Sequence, residues 1–153
     1  MRTVVPMAVI LALSMASGPV YASGVDSKPL DQQGIEALET RASQAQPREQ
    51  CFLYAELVHQ MTELSVRQYA AGDVGKATEM LRHIQLLAQK IHLSMANNDK
   101  RLKNAEILLR HTAFRLTEML HGSSSEDRPL LEQTLAQVNE AQTETMMQVF
   151  RNK

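Results

Sequence analysis

The chain has 153 residues, of which 44% are hydrophobic and 22% charged, with 16 Lys and Arg side chains against 17 Asp and Glu. This length supports one domain with one modest core, and a net charge of −1 gives no reason to expect a nucleic acid or an acidic membrane surface as partner. The only cysteine, Cys51, excludes a disulfide within the chain, so stability must come from packing.

The first 22 residues follow the pattern of a secretory signal peptide. Arg2 precedes an apolar run over residues 4–15, and Val20 and Ala22 are small residues at the positions that a signal peptidase reads. The apolar run is shorter than the roughly 20 residues that a membrane-spanning helix needs. We therefore expect export to the periplasm or the medium, cleavage near Ala22 and no stable membrane insertion afterwards.

Residues 23–46 predict a flexible tether that leads into a short helix. The tether is rich in turn-forming residues and contains Pro29. Asp31 can cap a helix that ends near Ala45, because its apolar residues recur at helical spacing. These residues are Ile35, Leu38, Ala42 and Ala45.

The segment 47–153 predicts the bundle domain and begins with a helical hairpin. Two amphipathic patterns of about two dozen residues flank a break at Gly72 and Asp73. Pro47 suits the first turn of the first pattern, Gly72 the left-handed residue that ends a helix, and Asp73 the N-cap of the next helix. The second pattern is expected to stop near residues 97–99, although a continuous helix through that point is an alternative.

A third helix is expected from about Asp99 to His121, then a loop over residues 122–125. A fourth helix follows, capped by Ser125 or Asp127 and continuing to about Val149. Four long helices with short connections predict an all-α protein, an up-down-up-down bundle preceded by the short N-terminal helix.

The third long helix carries a second stripe on the side away from its main apolar face. Its members, which form a candidate partner-facing surface, are Ile107, His111, Phe114, Glu118 and His121. Either the short N-terminal helix covers Ile107 and Phe114, or another protein does. We favour the N-terminal helix, because a helix of that length must pack against something to form.

The histidines do not predict a metal site. Two Glu-x-x-His motifs end at His59 and His121, but in an up-down bundle they lie about 18 Å apart along the axis and face away from the apolar stripes. His59, His83 and His111 share a similar height, yet they point outward on different helices. We therefore predict no metal ligands and no cofactor.

No catalytic, nucleotide-binding or haem motif occurs in the sequence, so we predict that the protein is not an enzyme. Cys51 lies near the start of the first long helix, where it is either a small buried hydrophobe or an intermolecular thiol. The sequence favours an exported helical-bundle protein that acts through association with a protein partner or with itself. The alternative is a periplasmic bundle that binds a small ligand or a metal.

The sequence resembles known proteins in two places. The runs Cys51-Phe-Leu-Tyr-Ala-Glu-Leu-Val-His59 and Asp99-Lys-Arg-Leu-Lys-Asn-Ala-Glu-Ile-Leu-Leu-Arg-His-Thr112 resemble small secreted bacterial helical proteins of unassigned function. That resemblance implies a helical exported protein and adds no site. The break from Tyr69 to Ala77 resembles the turn of a tetratricopeptide repeat, but the motif does not recur at the 34-residue period. We interpret it as turn chemistry only.

Overall fold

The structure, a computed structural model, describes residues 29–95 and 100–151. It contains five helices, α1 (Gln32–Gln44), α2 (Pro47–Ala70), α3 (Val74–Ser94), α4 (Leu102–His121) and α5 (Arg128–Arg151). No strand occurs in these two ranges, so the all-α prediction is confirmed for them. The expected signal peptide, most of the expected tether and the helix end expected at residues 97–99 lie outside the described residues.

Local chemistry explains where α1 and α2 begin. The carboxylate of Asp31 accepts a hydrogen bond from the Gly34 backbone N–H at 2.8 Å, which satisfies one of the N–H groups left over at the start of α1. Pro47 is the first residue of α2, where its missing N–H costs nothing. Both starts were expected from the sequence.

The turn between α2 and α3 departs from expectation in one detail. Gly72 has φ 81°, the left-handed conformation that glycine adopts without a Cβ penalty. Asp73 stands at the N-cap position of α3, but its carboxylate binds the Lys76 ammonium at 2.7 Å and caps no backbone N–H. The expected cap is therefore wrong, because an ion pair within the first turn takes its place.

The four long helices form a ring in the order α2, α3, α5, α4. Each packs on its two neighbours in the ring, whereas α3 and α4, which follow one another in sequence, make no contact within the described ranges. Hydrogen bonds from Gln85 to Thr134 and from His92 to Glu144 show that α3 and α5 run in the same direction. The domain thus consists of two antiparallel hairpins, α2–α3 and α4–α5, lying side by side.

The helix α2 is the centre of the fold. All five residues over 51–55 are buried, so α2 is apolar on every side near its start. It contacts α1, α3 and α4, which together cover this surface. The largest completely buried apolar side chains lie along the axis of the ring and include Leu57, Met61, Ile84, Leu87, Ile91, Leu109, Leu116 and Leu131.

The short helix α1 packs on α2 and not on α4. It is tied there by a hydrogen bond from the Leu30 N–H to Gln60 at 3.1 Å and by one from Arg67 to the Leu30 carbonyl. The prediction that this helix covers Ile107 and Phe114 is wrong, because α2 offers a second apolar side nearer in sequence. None of the described helices is long and apolar enough to cross a membrane.

Candidate functional site

The second stripe of α4 is mostly polar in the structure. Phe114 is 63% exposed, Ile107 is half-buried, and His111, Glu118 and His121 are exposed. Among the described residues of α4, Phe114 is the only large hydrophobic side chain that is exposed. The stripe therefore presents one aromatic ring on a charged helix face.

A larger apolar surface lies on the layer formed by α3 and α5. Leu86 and Leu93, two turns apart on the outer side of α3, are 59% and 80% exposed. Met147 and Phe150 near the end of α5 are also exposed. The sequence analysis did not identify this surface, although Leu86 and Leu93 fall opposite the buried stripe of α3 and could have been found by their seven-residue spacing.

An open groove of about 320 Å³ runs between α3 and α5 beside Leu93. Its apolar floor includes Ala88 and Ala141, and Leu93 stands at its edge. His92 and Glu144 bind one another across it at 2.5 Å. We call the outer surface of α3 and α5 with this groove the leucine face.

The leucine face carries basic charge on α3 and acidic charge on α5. Arg82 and Lys90 are exposed on α3, and Glu132 and Glu140 are exposed on α5. Arg82, Glu132 and Glu140 make no ion pair with any other residue that the structure describes. The Lys90 ammonium lies 5.7 Å from the centre of the Tyr54 ring, at the border with α2.

Two histidines meet on the opposite layer, in the surface groove between α2 and α4. The ring centres of His59 and His111 lie 6.5 Å apart, with the rings inclined at 58°. The His59 Nδ1 lies 3.2 Å from the Thr112 hydroxyl oxygen, and that hydroxyl donates its proton to the Leu108 carbonyl at 2.8 Å. A hydroxyl has only one proton, so with that proton on the Leu108 carbonyl the His59 tautomer that donates from Nδ1 satisfies both contacts.

One arginine bridges two carboxylates beside this histidine pair. The Arg115 guanidinium binds Glu63 of α2 at 2.7 Å and Glu118 of α4 at 2.5 Å, and these two hydrogen bonds raise the pKa of Arg115. Burial lowers the pKa of His59 below its ordinary value; the Glu63 carboxylate opposes this effect, while His111 and Arg115 add to it. His59 is therefore held in its neutral form.

The sequence predicts similar heights for His59, His83 and His111, but it predicts no contact between any two of them. The up-down bundle predicts that α2 and α4 run parallel, and the apolar stripes predict that their histidines point outward on separate helices. In the structure α2 and α4 are neighbours and parallel, so His59 and His111 face one another. His83 is separate, because it binds Glu39 of α1 at 3.0 Å.

Cys51 is completely buried in the core at the start of α2. This position agrees with the interpretation as a small buried hydrophobe. A disulfide to another molecule would require the first turns of α2 to open.

A small cavity of about 100 Å³ lies where α1, α2 and the start of α4 meet. Arg101, which has a left-handed φ of 60°, lays its guanidinium 3.6 Å from the centre of the Phe52 ring. Arg41, Glu49 and Lys100 complete the lining, and the Lys100 ammonium lies 3.5 Å from the Glu49 carboxylate. The stacked arginine closes this end of the core over Phe52.

Within residues 29–95 and 100–151, no group of three or more His, Cys, Asp or Glu side chains is placed to hold a metal ion. Compared with models of known protein families, with curated proteins and with solved structures, the chain matches none of them.

Proposed function

We propose that this protein is an exported, non-enzymatic helical-bundle protein that acts through protein–protein association, and that the leucine face joins two copies of the chain. In this proposal residues 1–22 are removed on export. The mature protein is a bundle of four long helices, α2 to α5, with α1 attached to α2. The observation that carries the proposal is the exposure of Leu86 and Leu93 on α3, with Leu93 at the edge of an open groove that has two alanines in its floor.

Exposed leucines of this kind favour an interface. Burying a leucine side chain is worth about 1.5–3 kcal/mol relative to leaving it in water, so a partner surface that covers both leucines gains several kcal/mol of hydrophobic free energy. The neighbouring groove offers an apolar floor of alanines into which a side chain from the partner can insert.

The charge pattern of the leucine face favours a second copy over a foreign partner. A twofold axis parallel to the helices sets each α3 against α5 of the other copy. Hydrogen bonds join α3 and α5 residues that are 49 and 52 positions apart, so residues separated by about 50 positions lie at one height. Arg82 and Glu132 have this separation, and so do Lys90 and Glu140. The basic residues of one copy then lie at the same heights as acidic residues of the other, which favours their approach across the axis.

The test is the solution mass of residues 23–153 by light scattering over a range of concentrations, with and without reductant. The wild type is expected to be a dimer in both conditions, because Cys51 is buried. A variant with Leu86→Ser and Leu93→Ser should be monomeric with a nearly unchanged melting temperature, since both side chains are exposed. Phe114→Ser is the matched control, because it removes an equally exposed apolar side chain from α4.

Charge variants test the twofold arrangement itself. Lys90→Glu should weaken the dimer, and adding Glu140→Lys should restore it, because in a symmetric dimer each exchanged residue faces the other. Arg110→Glu on α4 is the control for the change in net charge. A wild type that is monomeric at all concentrations, or a dimer that requires oxidation, overturns the proposal. A dimer lost in Phe114→Ser but kept in the leucine variant moves the interface to α4.

A further inference from the structure

We propose that His59 and His111 form a binding site for a divalent transition-metal ion of the zinc and copper class, with water completing the coordination. The site lies in the groove between α2 and α4, on the layer away from the leucine face. It is independent of the proposed dimer.

The hydrogen bonds of His59 leave one ring nitrogen ready to bind a metal. The Thr112 hydroxyl donates its hydrogen bond to the Leu108 carbonyl. In the matching tautomer, His59 carries its own proton on Nδ1. The lone pair of the neutral ring is then on Nε2. Metal-binding histidines have this arrangement, in which one nitrogen donates to a protein oxygen and the other binds the ion.

The second ligand is already close. The two rings belong to parallel neighbouring helices, and their centres lie 6.5 Å apart. Two histidines that share an ion at about 2.0–2.1 Å from each nitrogen have ring centres roughly 5–6 Å apart. His111 is exposed, so a small rotation of its side chain closes the remaining distance without moving the core.

The groove supplies two nitrogen ligands and no carboxylate. Glu63, the carboxylate that acts on the pKa of His59, is engaged by Arg115, and Arg115 also binds Glu118. A site of two imidazoles with open positions suits borderline ions such as Zn²⁺ and Cu²⁺, whereas Mg²⁺ and Ca²⁺ require oxygen ligands. The open positions allow the ion to exchange with water and with small anions.

The experiment measures Zn²⁺ binding to tag-free residues 23–153 by calorimetry, together with the melting temperature in excess Zn²⁺ and in chelator. We expect one ion per chain and a rise in melting temperature of about 5–10 °C when Zn²⁺ is a hundredfold above its dissociation constant. His111→Gln should abolish both effects while leaving the chelator melting temperature unchanged, because His111 is exposed. His59→Gln should abolish them as well.

Controls separate this site from binding elsewhere. His121→Gln, an exposed histidine at the end of α4, should bind Zn²⁺ like the wild type, and Mg²⁺ should produce no shift. Thr112→Val keeps both ligands but removes the oxygen that orients His59, so it should weaken Zn²⁺ binding about 10–100-fold. Unchanged binding in His111→Gln, or absence of binding in the wild type, overturns the site. Either result leaves the dimer proposal intact, since the leucine face and the two histidines lie on different layers of the bundle.

Discussion

The two layers of the bundle satisfy their polar groups differently. In the α2/α4 layer, two side-chain contacts join the helices. Arg115 binds Glu63, and His59 binds Thr112. In the α3/α5 layer, two leucines are exposed, and Arg82 and Glu140 have no ionic partner among the described residues. The α2/α4 layer pairs its central arginine with carboxylates of the same copy. The other presents apolar and charged groups that a second copy can satisfy.

Changes in the core that both layers share should cause the largest loss of stability. Leu109 of α4 is completely buried, so Leu109→Ala should lower the free energy of unfolding by about 2–5 kcal/mol through lost burial and the cavity left behind. Urea unfolding followed by circular dichroism measures this change. Leu93→Ala is the matched control on the exposed surface. Equal losses in the two variants would contradict the burial of Leu109.

A smaller effect is expected from breaking the ion pair that joins α2 to α4. Arg115→Met keeps most of the side-chain volume but removes the bonds to Glu63 and Glu118, and we expect a loss of about 0.5–1 kcal/mol, because these side chains are still partly in contact with water. Arg110→Met, on an exposed part of the same helix, should change stability less. A double-mutant cycle with Glu63→Gln isolates the pair.

The same layer should become less stable in mild acid. His59 has a lowered pKa in the folded protein, so the unfolded chain takes up the proton first as the pH falls below about 6.5. The stabilisation by neutral His59 is therefore present above pH 6.5 and is lost as the pH falls towards the folded-state pKa. The neighbouring charged and titratable groups are Glu63, His111 and Arg115.

Melting temperatures in chelator between pH 7.5 and 5 measure this dependence. In His59→Gln the decrease over that range should be smaller than in the wild type, while His121→Gln should follow the wild type. If His59→Gln keeps the full decrease in melting temperature, groups other than His59 cause the pH dependence.

The sequence predicted local features well and long-range neighbours poorly. The starts at Asp31 and Pro47 and the turn at Gly72 depend on residues a few positions apart, and all three are confirmed. The order of helices around the ring depends on packing between distant segments, which periodicity does not encode. The contact of His59 with His111 was missed for this reason. The continuous apolar run over residues 51–55 indicates a helix that is buried on all sides. This run could have predicted that α1 packs on α2.

The smallest effect on stability is expected at Leu93, where monomer stability and dimer affinity should respond differently. Leu93 is 80% exposed, so Leu93→Ser should change the free energy of unfolding of the monomer by less than about 0.5 kcal/mol. The dimer should nevertheless weaken, because Leu93 borders the groove that the second copy is proposed to fill. Urea unfolding of dilute protein and light scattering of concentrated protein measure the two quantities separately. A large loss of monomer stability would mean that Leu93 belongs to the core, and unchanged dimer affinity would remove it from the interface.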